Sequence, residues 1–406
     1  MRTVIGTIVL FVTIVISCGA SAQQLSNASS AALQYVPVTP CRVVDTRGPN
    51  GPLGGPAIQG GTNRTFDVSE GSCNIPSTAG AFLFNVTVVP MGRLGDLTVY
   101  PTGENRGVVI TLSSLDGRIK ADAAIVPAGT NEAINVYASD TTNVVIDISG
   151  YFAPPSSSTL AYYPLTPCRV LDTRNPNGPL GGPYLRGGQE RDFPVPESPC
   201  IPAGVGAVAY SLNVTALPRN GAPLSYLTVW AAGQSQPLLA TLNAVTGTIV
   251  SNAAVVTAGT GGGIATYASN DTDLVADING FFAPASAGGL SLYAVEPCRV
   301  LDTRHTAVGF TGQRTIPILV PAGFPCVVAR NAQAFVLNAT AYPQGPLNYL
   351  TFWADGQPRP STWTLNAEDG AFTSNMAIVT STDGSIDAYA AGRTHLTLDI
   401  MTYFAP

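Results

Sequence analysis

The chain reads Pro167-Cys168-Arg169-Val170-Leu171-Asp172-Thr173-Arg174 near its centre, and close copies of this stretch begin at Pro40 and Pro297. Each copy opens a unit of roughly 120 residues, which is the size of one domain. A chain of 406 residues with this period predicts one module used three times. We place the modules, called units 1, 2 and 3 below, at residues 35–154, 162–284 and 292–406.

Shorter motifs follow the opening stretch in the same order in every unit. In unit 1 they are Asn85-Val86-Thr87, Leu97-Thr98-Val99-Tyr100 and a closing run from Asp147 to Phe152. Short runs rich in Val, Thr and aromatic residues, bounded by Gly, Pro, Asn or Asp, are typical of strands, and no window has a capped helical period. The sequence therefore predicts an all-β protein of three tandem antiparallel β-sandwich repeats, Ig-like or jelly-roll-like, with about seven to nine strands each.

The cysteines follow the same period. Apart from Cys18, they fall two to a unit at a recurring spacing, which in a secreted chain indicates a disulfide framework. Two cysteines without a companion histidine cannot complete a tetrahedral metal site, so no metal is expected at them. The predicted disulfides, one per unit, are Cys41–Cys73, Cys168–Cys200 and Cys298–Cys326.

The first residues resemble a secretory signal. A basic start is followed by an apolar run and by Ala20-Ser21-Ala22, so we expect residues 1–22 to be a signal peptide and 23–34 a flexible N-terminal segment. The alternative is a lipobox in which Cys18 is acylated and anchors the chain to a membrane. Both interpretations place the protein outside the cytoplasm, secreted or at the cell surface.

Composition excludes several classes of partner. Charged residues make up 11% of the chain, the net charge is −6, and Lys120 is the single lysine, so no basic stripe is available for nucleic acid. No apolar run after the signal approaches ~18 residues, which predicts no transmembrane segment there. No motif for a cofactor is present, so we expect none, and the sequence leaves the oligomeric state open.

The charged residues of the opening stretch can form structural ion pairs with the closing strand. An arginine fork that bonds to a carboxylate would fix the register of the first and last strands of a unit. Anion binding and catalysis are the alternatives for the same residues. The predicted ion-pair residues, four to a unit, are Arg42, Asp45, Arg47 and Asp147; Arg169, Asp172, Arg174 and Asp277; and Arg299, Asp302, Arg304 and Asp399.

One aromatic residue recurs at a fixed place in each unit, as Tyr100, Trp230 and Trp353. By strand alternation it lies opposite the apolar Leu97 and Val99 side of its strand. If that face meets solvent, the three rings form a ligand platform of the kind that stacks on sugars. In the alternative interpretation each ring is buried at the edge of its unit.

The recurring motifs together resemble a module that is found in tandem in secreted bacterial proteins. The resemblance rests on Pro-Cys-Arg-Val-Leu-Asp-Thr-Arg, Asn-Val-Thr, Leu-Thr-Val-Tyr/Trp and Asp-Ile-x-Gly-Tyr-Phe, and it covers nearly all of the chain after the signal. It implies an extracellular setting and carries no established catalytic residues. Unit 3 departs from it, since Thr402 stands where the other units have Gly150 and Gly280.

The sequence favours a secreted, non-enzymatic β-repeat protein that acts in adhesion, glycan binding or cell-envelope structure through repeated weak sites. Its expected partner is an extracellular glycan or cell-wall polymer. The alternative is a secreted carbohydrate-active hydrolase that uses a pair of aspartates in a cleft between repeats. No nucleophile elbow supports a serine hydrolase, and we predict no catalytic residue.

Overall fold

The computed structural model describes residues 31–305, 308–319 and 326–406. The predicted signal peptide, Cys18 and the first part of the segment 23–34 lie outside the described residues. Regular structure in the described ranges consists of β-strands and short 3-10 helices, without an α-helix. None of these helices is long or apolar enough to cross a membrane. The all-β prediction is therefore confirmed.

The strands follow the units. Unit 1 contains β1 (Gln34–Asp45), β2 (Thr62–Asp67), β3 (Ala81–Pro90), β4 (Leu94–Pro101), β5 (Leu112–Ser114), β6 (Lys120–Pro127), β7 (Ala133–Ala138) and β8 (Thr142–Ala153). Unit 2 contains β9 (Leu160–Asp172), β10 (Glu190–Phe193), β11 (Ala209–Pro218), β12 (Leu224–Ala231), β13 (Leu242–Ala244), β14 (Val250–Thr257), β15 (Ile264–Ala268) and β16 (Thr272–Pro284). Unit 3 contains β17 (Ser291–Asp302), β18 (Phe310–Pro317), β19 (Ala334–Pro343), β20 (Leu347–Ala354), β21 (Leu365–Ala367), β22 (Thr373–Thr380) and β23 (Ser385–Ala405). The 3-10 helices are Val68–Glu70, Thr130–Glu132, Val195–Glu197, Arg219–Gly221 and Thr260–Gly262.

The strand pairing recurs from unit to unit and is antiparallel. One eight-stranded sheet has the order β14-β11-β16-β9-β1-β8-β3-β6, so the pairing of β1 with β9 joins four strands of unit 1 to four strands of unit 2. In unit 3 the strands β17-β23-β19-β22 pair in the same order as β1-β8-β3-β6. The second sheet is β2-β7-β4-β5 in unit 1 and β10-β15-β12-β13 in unit 2. In unit 3 the long strand β23 also pairs with β18 and β20, so it takes part in both sheets.

The two sheets of a unit share one buried cluster. In unit 1, Phe82 and Phe84 of β3 meet Phe66 of β2 and Val99 of β4 in that cluster. The residue between them, Leu83, points the other way and joins a different buried cluster. Because both faces of β3 are covered, its first four residues, Ala81 to Phe84, form a continuous apolar run rather than an alternating one.

That different cluster is shared by all three units. At its centre the rings of Phe152, Phe282 and Phe404, one from each closing strand, lie with centroids 6.2, 6.2 and 6.3 Å apart. The residues from Ala31 to Pro406 accordingly form one compact unit. The sequence period alone suggested three separate modules, whereas their apolar outer faces pack against one another.

The closing strands show why Thr402 replaces glycine in unit 3. A Cβ on Gly150 would lie 2.2 Å from the ring of Tyr35, and a Cβ on Gly280 would lie 2.3 Å from the hydroxyl of Tyr162. Unit 3 carries Leu292 in place of the tyrosine, and it also carries the threonine. The two substitutions occur together because a smaller side chain at the first position leaves room for a Cβ at the second.

The start of the described chain is anchored. Leu33 exchanges backbone hydrogen bonds of 2.9 and 2.7 Å with Leu292, and Gln34 begins β1. Both residues are buried. The prediction of a flexible segment over 23–34 is therefore wrong for its last residues, because they pair with unit 3.

Candidate functional site

The opening stretch of each unit forms an ion-paired clasp with the closing strand. The arginine Nε lies 2.9 Å from Asp147 Oδ1 for Arg42, and the same contact is 2.8 Å in unit 2 and 2.7 Å in unit 3. The second arginine, Arg47 in unit 1, chelates Asp45 through Nε at 2.8 Å and Nη2 at 2.6 Å. All twelve residues predicted for ion pairs lie in these three clasps. We refer to the three sets below as the clasps.

The disulfides lie beside the clasps. The predicted pairs are formed, with Cα–Cα distances of 5.8 Å in units 1 and 2 and 5.5 Å in unit 3. Each bond ties β1, β9 or β17 to the loop that precedes the next long strand of its unit. The disulfide prediction is confirmed, and three disulfides indicate an oxidising environment.

The pKa values of the two carboxylates in a clasp are shifted in opposite directions. Burial raises the pKa of Asp147, although Arg42 opposes this effect, and Asp277 and Asp399 behave alike. The hydrogen bond from Arg47 lowers the pKa of Asp45. In unit 3 burial acts against the ionised form, yet the bonds from Arg304 lower the pKa of Asp302 to about 2. The carboxylate that the second arginine chelates, Asp45 in unit 1, is therefore ionised more readily than the buried carboxylate of the closing strand.

The three recurring aromatic rings are buried. Tyr100, Trp230 and Trp353 are 4%, 2% and 1% exposed. The indole Nε1 of Trp230 donates to Gln234 O at 2.9 Å, and that of Trp353 donates to Gln357 O at 2.8 Å. The hydroxyl of Tyr100 donates to Asn63 Oδ1 at 3.0 Å. The hypothesis of an exposed platform is therefore wrong, because all three rings are buried.

Asparagines of the Asn-Val-Thr motif join the units in a closed cycle. Asn85 of unit 1 donates to Ala240 O of unit 2 at 2.7 Å, and Asn213 of unit 2 donates to Trp363 O of unit 3 at 2.7 Å. Asn338 of unit 3 donates to Thr111 O of unit 1 at 2.7 Å. Each unit thus contacts the next, and unit 3 contacts unit 1.

A second recurring position completes the cycle with one change of residue type. Asn252 accepts from Ala123 N at 3.0 Å and donates to Asn85 Oδ1 at 2.8 Å, and Asn375 makes the corresponding bonds with unit 2. The equivalent residue of unit 1 is Asp122, whose Oδ1 accepts from Met376 N at 2.9 Å. Its Oδ2 and the facing amide oxygen of Asn338 are buried without a hydrogen-bond partner among the described residues.

The clasp carboxylates also reach across the interfaces, but not in the same way. Asp277 Oδ2 accepts from Trp363 N of unit 3 at 2.8 Å, and Asp399 Oδ2 accepts from Ile110 N of unit 1 at 2.8 Å. Ala240 is the corresponding residue of unit 2, since all three directly precede a Thr-Leu pair. Within the described ranges, Asp147 receives no such bond from unit 2, although it is only 3% exposed. One acceptor of this carboxylate therefore lacks the partner that its counterparts have.

A cleft of about 370 Å³ lies at this place, between units 1 and 2. Its wall includes Asp147 and Leu83 of unit 1 and Trp230, Leu239 and Ala240 of unit 2. The corresponding cavity between units 2 and 3 is about 30 Å³. The difference follows from side-chain volume, because unit 3 fills the interface with larger residues than unit 2 does. The pairs are Trp363 for Ala240, Met376 for Ala253 and Phe352 for Val229.

The described wall of the cleft is mostly apolar. Asp147 is the single carboxylate in its described wall, and it is held by Arg42. Glycoside hydrolysis by two acids needs a second one across the cleft. The described residues also contain no group of three His, Cys, Asp or Glu side chains that could hold a metal.

The sequence motifs gave no role to the residues that form the interfaces. Asn85, Asp122 and their counterparts were visible as polar residues inside apolar strands, where a polar group needs a hydrogen-bond partner. That signal indicates a second packed face. The residues that make the cleft, such as Ala240, carry no signal of their own. No family model matches this chain, and a search of curated proteins finds no significant match.

Proposed function

We propose that this chain is a secreted, non-catalytic binding protein whose ligand occupies the cleft between units 1 and 2. The observation that carries the proposal is the cleft of about 370 Å³, which falls in the size range of small-molecule sites and has a mostly apolar wall with a few polar groups. The disulfides and the resemblance to modules of secreted bacterial proteins support an extracellular setting.

The sequence predicted repeated weak sites, whereas we propose a single principal site. The recurring rings are buried, and the interfaces between units differ in the side chains that fill them. We therefore propose one principal site, carried by three copies of a β-sandwich module that close into a cycle. An extracellular glycan or cell-wall polymer remains a proposed partner, and adhesion or cell-envelope structure remains the proposed role.

The test uses the full chain after signal removal and a variant that fills the cleft. Ala240→Trp introduces the residue that unit 3 already carries at this position, and the free volume accommodates it. We expect fluorinated fragments that bind the wild type in ligand-observed ¹⁹F NMR to lose their signal change with this variant. A set of cell-wall oligosaccharides forms a second arm of the same assay. If neither set contains a binder that is sensitive to Ala240→Trp, the proposed function is wrong.

A further inference from the structure

The clasp of unit 2 is contacted by one residue of unit 3, and this contact indicates which chemical groups a clasp can bind. At the interface between units 2 and 3, Trp363 N donates to Asp277 Oδ2 at 2.8 Å. The indole of the same residue lies over both arginines of that clasp, 4.7 Å from the Arg169 guanidinium carbon and 5.1 Å from that of Arg174. One residue therefore supplies an amide N–H to the carboxylate and an aromatic face to the cations.

The clasp of unit 1 has the same groups without these partners. Ala240 provides no ring, and in the described part of the chain no aromatic ring lies over Arg42 or Arg47. The Arg42 side chain is 34% exposed, compared with 21% for Arg169 and 10% for Arg299. Asp147 lines the cleft, and its Oδ2 accepts from Arg42 Nη2 at 3.4 Å without the backbone N–H that Asp277 and Asp399 receive. The carboxylate of this clasp thus lines the cleft, and its two arginines lack the aromatic cover that Trp363 gives to those of unit 2.

We infer that the cleft binds an aromatic amide, namely a flat aromatic ring next to an amide N–H, as in a tryptophan residue of an extended peptide. The amide N–H bonds to Asp147, and the ring stacks on the guanidinium groups of Arg42 and Arg47 against the apolar wall. Among the described residues Asp147 is bonded by Arg42, through Nε at 2.9 Å and Nη2 at 3.4 Å. An N–H of the ligand would add the second donor that Trp363 supplies to Asp277. This inference rests on the proposed function and adds the ligand chemistry.

The probe is N-acetyl-tryptophanamide, which reproduces the amide and the ring of Trp363. We expect one molecule to bind per chain with Kd on the order of 0.1–1 mM, as a ligand of this size allows. N-acetyl-leucinamide, which has the amides but no ring, and 1-methylindole, which has a ring but no N–H, should each bind at least tenfold more weakly. The peptide acetyl-Ala-Trp-Ala-amide distinguishes an extended peptide, which should bind more tightly, from a small aromatic amide alone.

Two substitutions move the binding stoichiometry in opposite directions. Ala240→Trp should abolish binding of the probe in calorimetry. Trp363→Ala uncovers the clasp of unit 2 and should raise the stoichiometry from one towards two, provided that its unfolding transition shows a folded chain. Leu238→Ser, at a 95% exposed position of the same loop, should leave both values unchanged.

The possible outcomes separate the inference from the proposed function. Probe binding that is lost with Ala240→Trp supports both. If fragments bind in a manner that depends on residue 240 while the probe does not, the ligand chemistry is wrong and the proposed function stands. If the probe binds equally to wild type and to Ala240→Trp, it binds elsewhere and the inference is overturned.

Discussion

Replacing Asp122 by asparagine should stabilise the fold at neutral pH. At the other two interfaces the equivalent residues, Asn252 and Asn375, donate to a facing asparagine and to a backbone carbonyl at 2.6–2.8 Å. At the interface between units 3 and 1, Asp122 Oδ2 and Asn338 Oδ1 are two buried acceptors without a donor among the described residues. An asparagine at position 122 supplies the missing N–H groups.

The size of the effect follows from the number of hydrogen bonds and from the titration of the acid. Two new bonds contribute about 0.5–1.5 kcal/mol each, so the gain at neutral pH is about 1–3 kcal/mol. Burial raises the pKa of Asp122 well above its ordinary value of 3.8, opposed by the backbone N–H groups of Met376 and Ala123. The charged groups at the end of this interface, Lys120, Arg118 and Asp369, pair among themselves or with Asp116.

The sign of the pH dependence is fixed by the raised pKa. Below pH 3.8 both folded and unfolded chains carry the proton, and the acid can donate to Asn338. As the pH rises above 3.8 the unfolded chain releases its proton first, so wild-type stability falls with rising pH until the raised pKa is passed. Asparagine has no proton to release, so this contribution is absent in the variant.

The assay is urea unfolding of the disulfide-intact chain between pH 4 and pH 8. The difference in free energy of unfolding between Asp122→Asn and wild type should be near zero at pH 4 and grow with pH. Asp192→Asn removes the same charge at an exposed position and should show no such trend. Asn252→Asp should create the trend at the interface between units 1 and 2. Equal stability of Asp122→Asn and wild type at pH 7, or a less stable variant, would refute the reasoning.

Three further outcomes are expected from urea or acid unfolding of the full chain. Gly280→Thr should cost about 1–3 kcal/mol because its Cβ meets Tyr162, and adding Tyr162→Leu should recover most of the loss; additive effects would contradict this coupling. Replacing both Cys168 and Cys200 by alanine should lower the free energy of unfolding by about 2–4 kcal/mol, and an unchanged value would speak against a stabilising role. Asp302 has its pKa lowered to about 2, so its contribution is present above pH 3.8 and is lost as the pH falls through 2. Asp302→Asn should therefore lose less stability than wild type between pH 4 and pH 2, and parallel acid profiles would count against the ion pair.

The clasp illustrates what the sequence could predict. Arg169 and Asp277 recur with the period of the chain, one in the first and one in the last strand of each unit, so their pairing followed from the repeat and from the geometry of the arginine fork. The disulfides followed from the same period. These contacts lie within a unit, where spacing along the chain is a usable guide to spacing in the fold.

The aromatic rings and the interfaces illustrate what the sequence could not predict. Alternation places Trp230 opposite Val229, but it does not tell solvent from a layer of protein. Here the turn after the strand covers the ring, and a neighbouring unit covers strands such as β3. The contact of Asn85 with Ala240 spans 155 residues, and no local pattern encodes that distance. The cleft depends on side-chain volumes at such distant positions.

The closed cycle of units has a consequence for how this molecule can diversify. In a homotrimer every substitution at an interface appears three times, so a gap or a buried acid would have to be tolerated at three places at once. Here one polypeptide carries all three interfaces, and each evolves under its own constraint. Ala240 opens a gap at one interface while Trp363 seals another, and Asp122 replaces an amide at the third. Because one polypeptide carries all three interfaces, they can differ in side-chain volume and charge while the asparagine contacts recur at each of them.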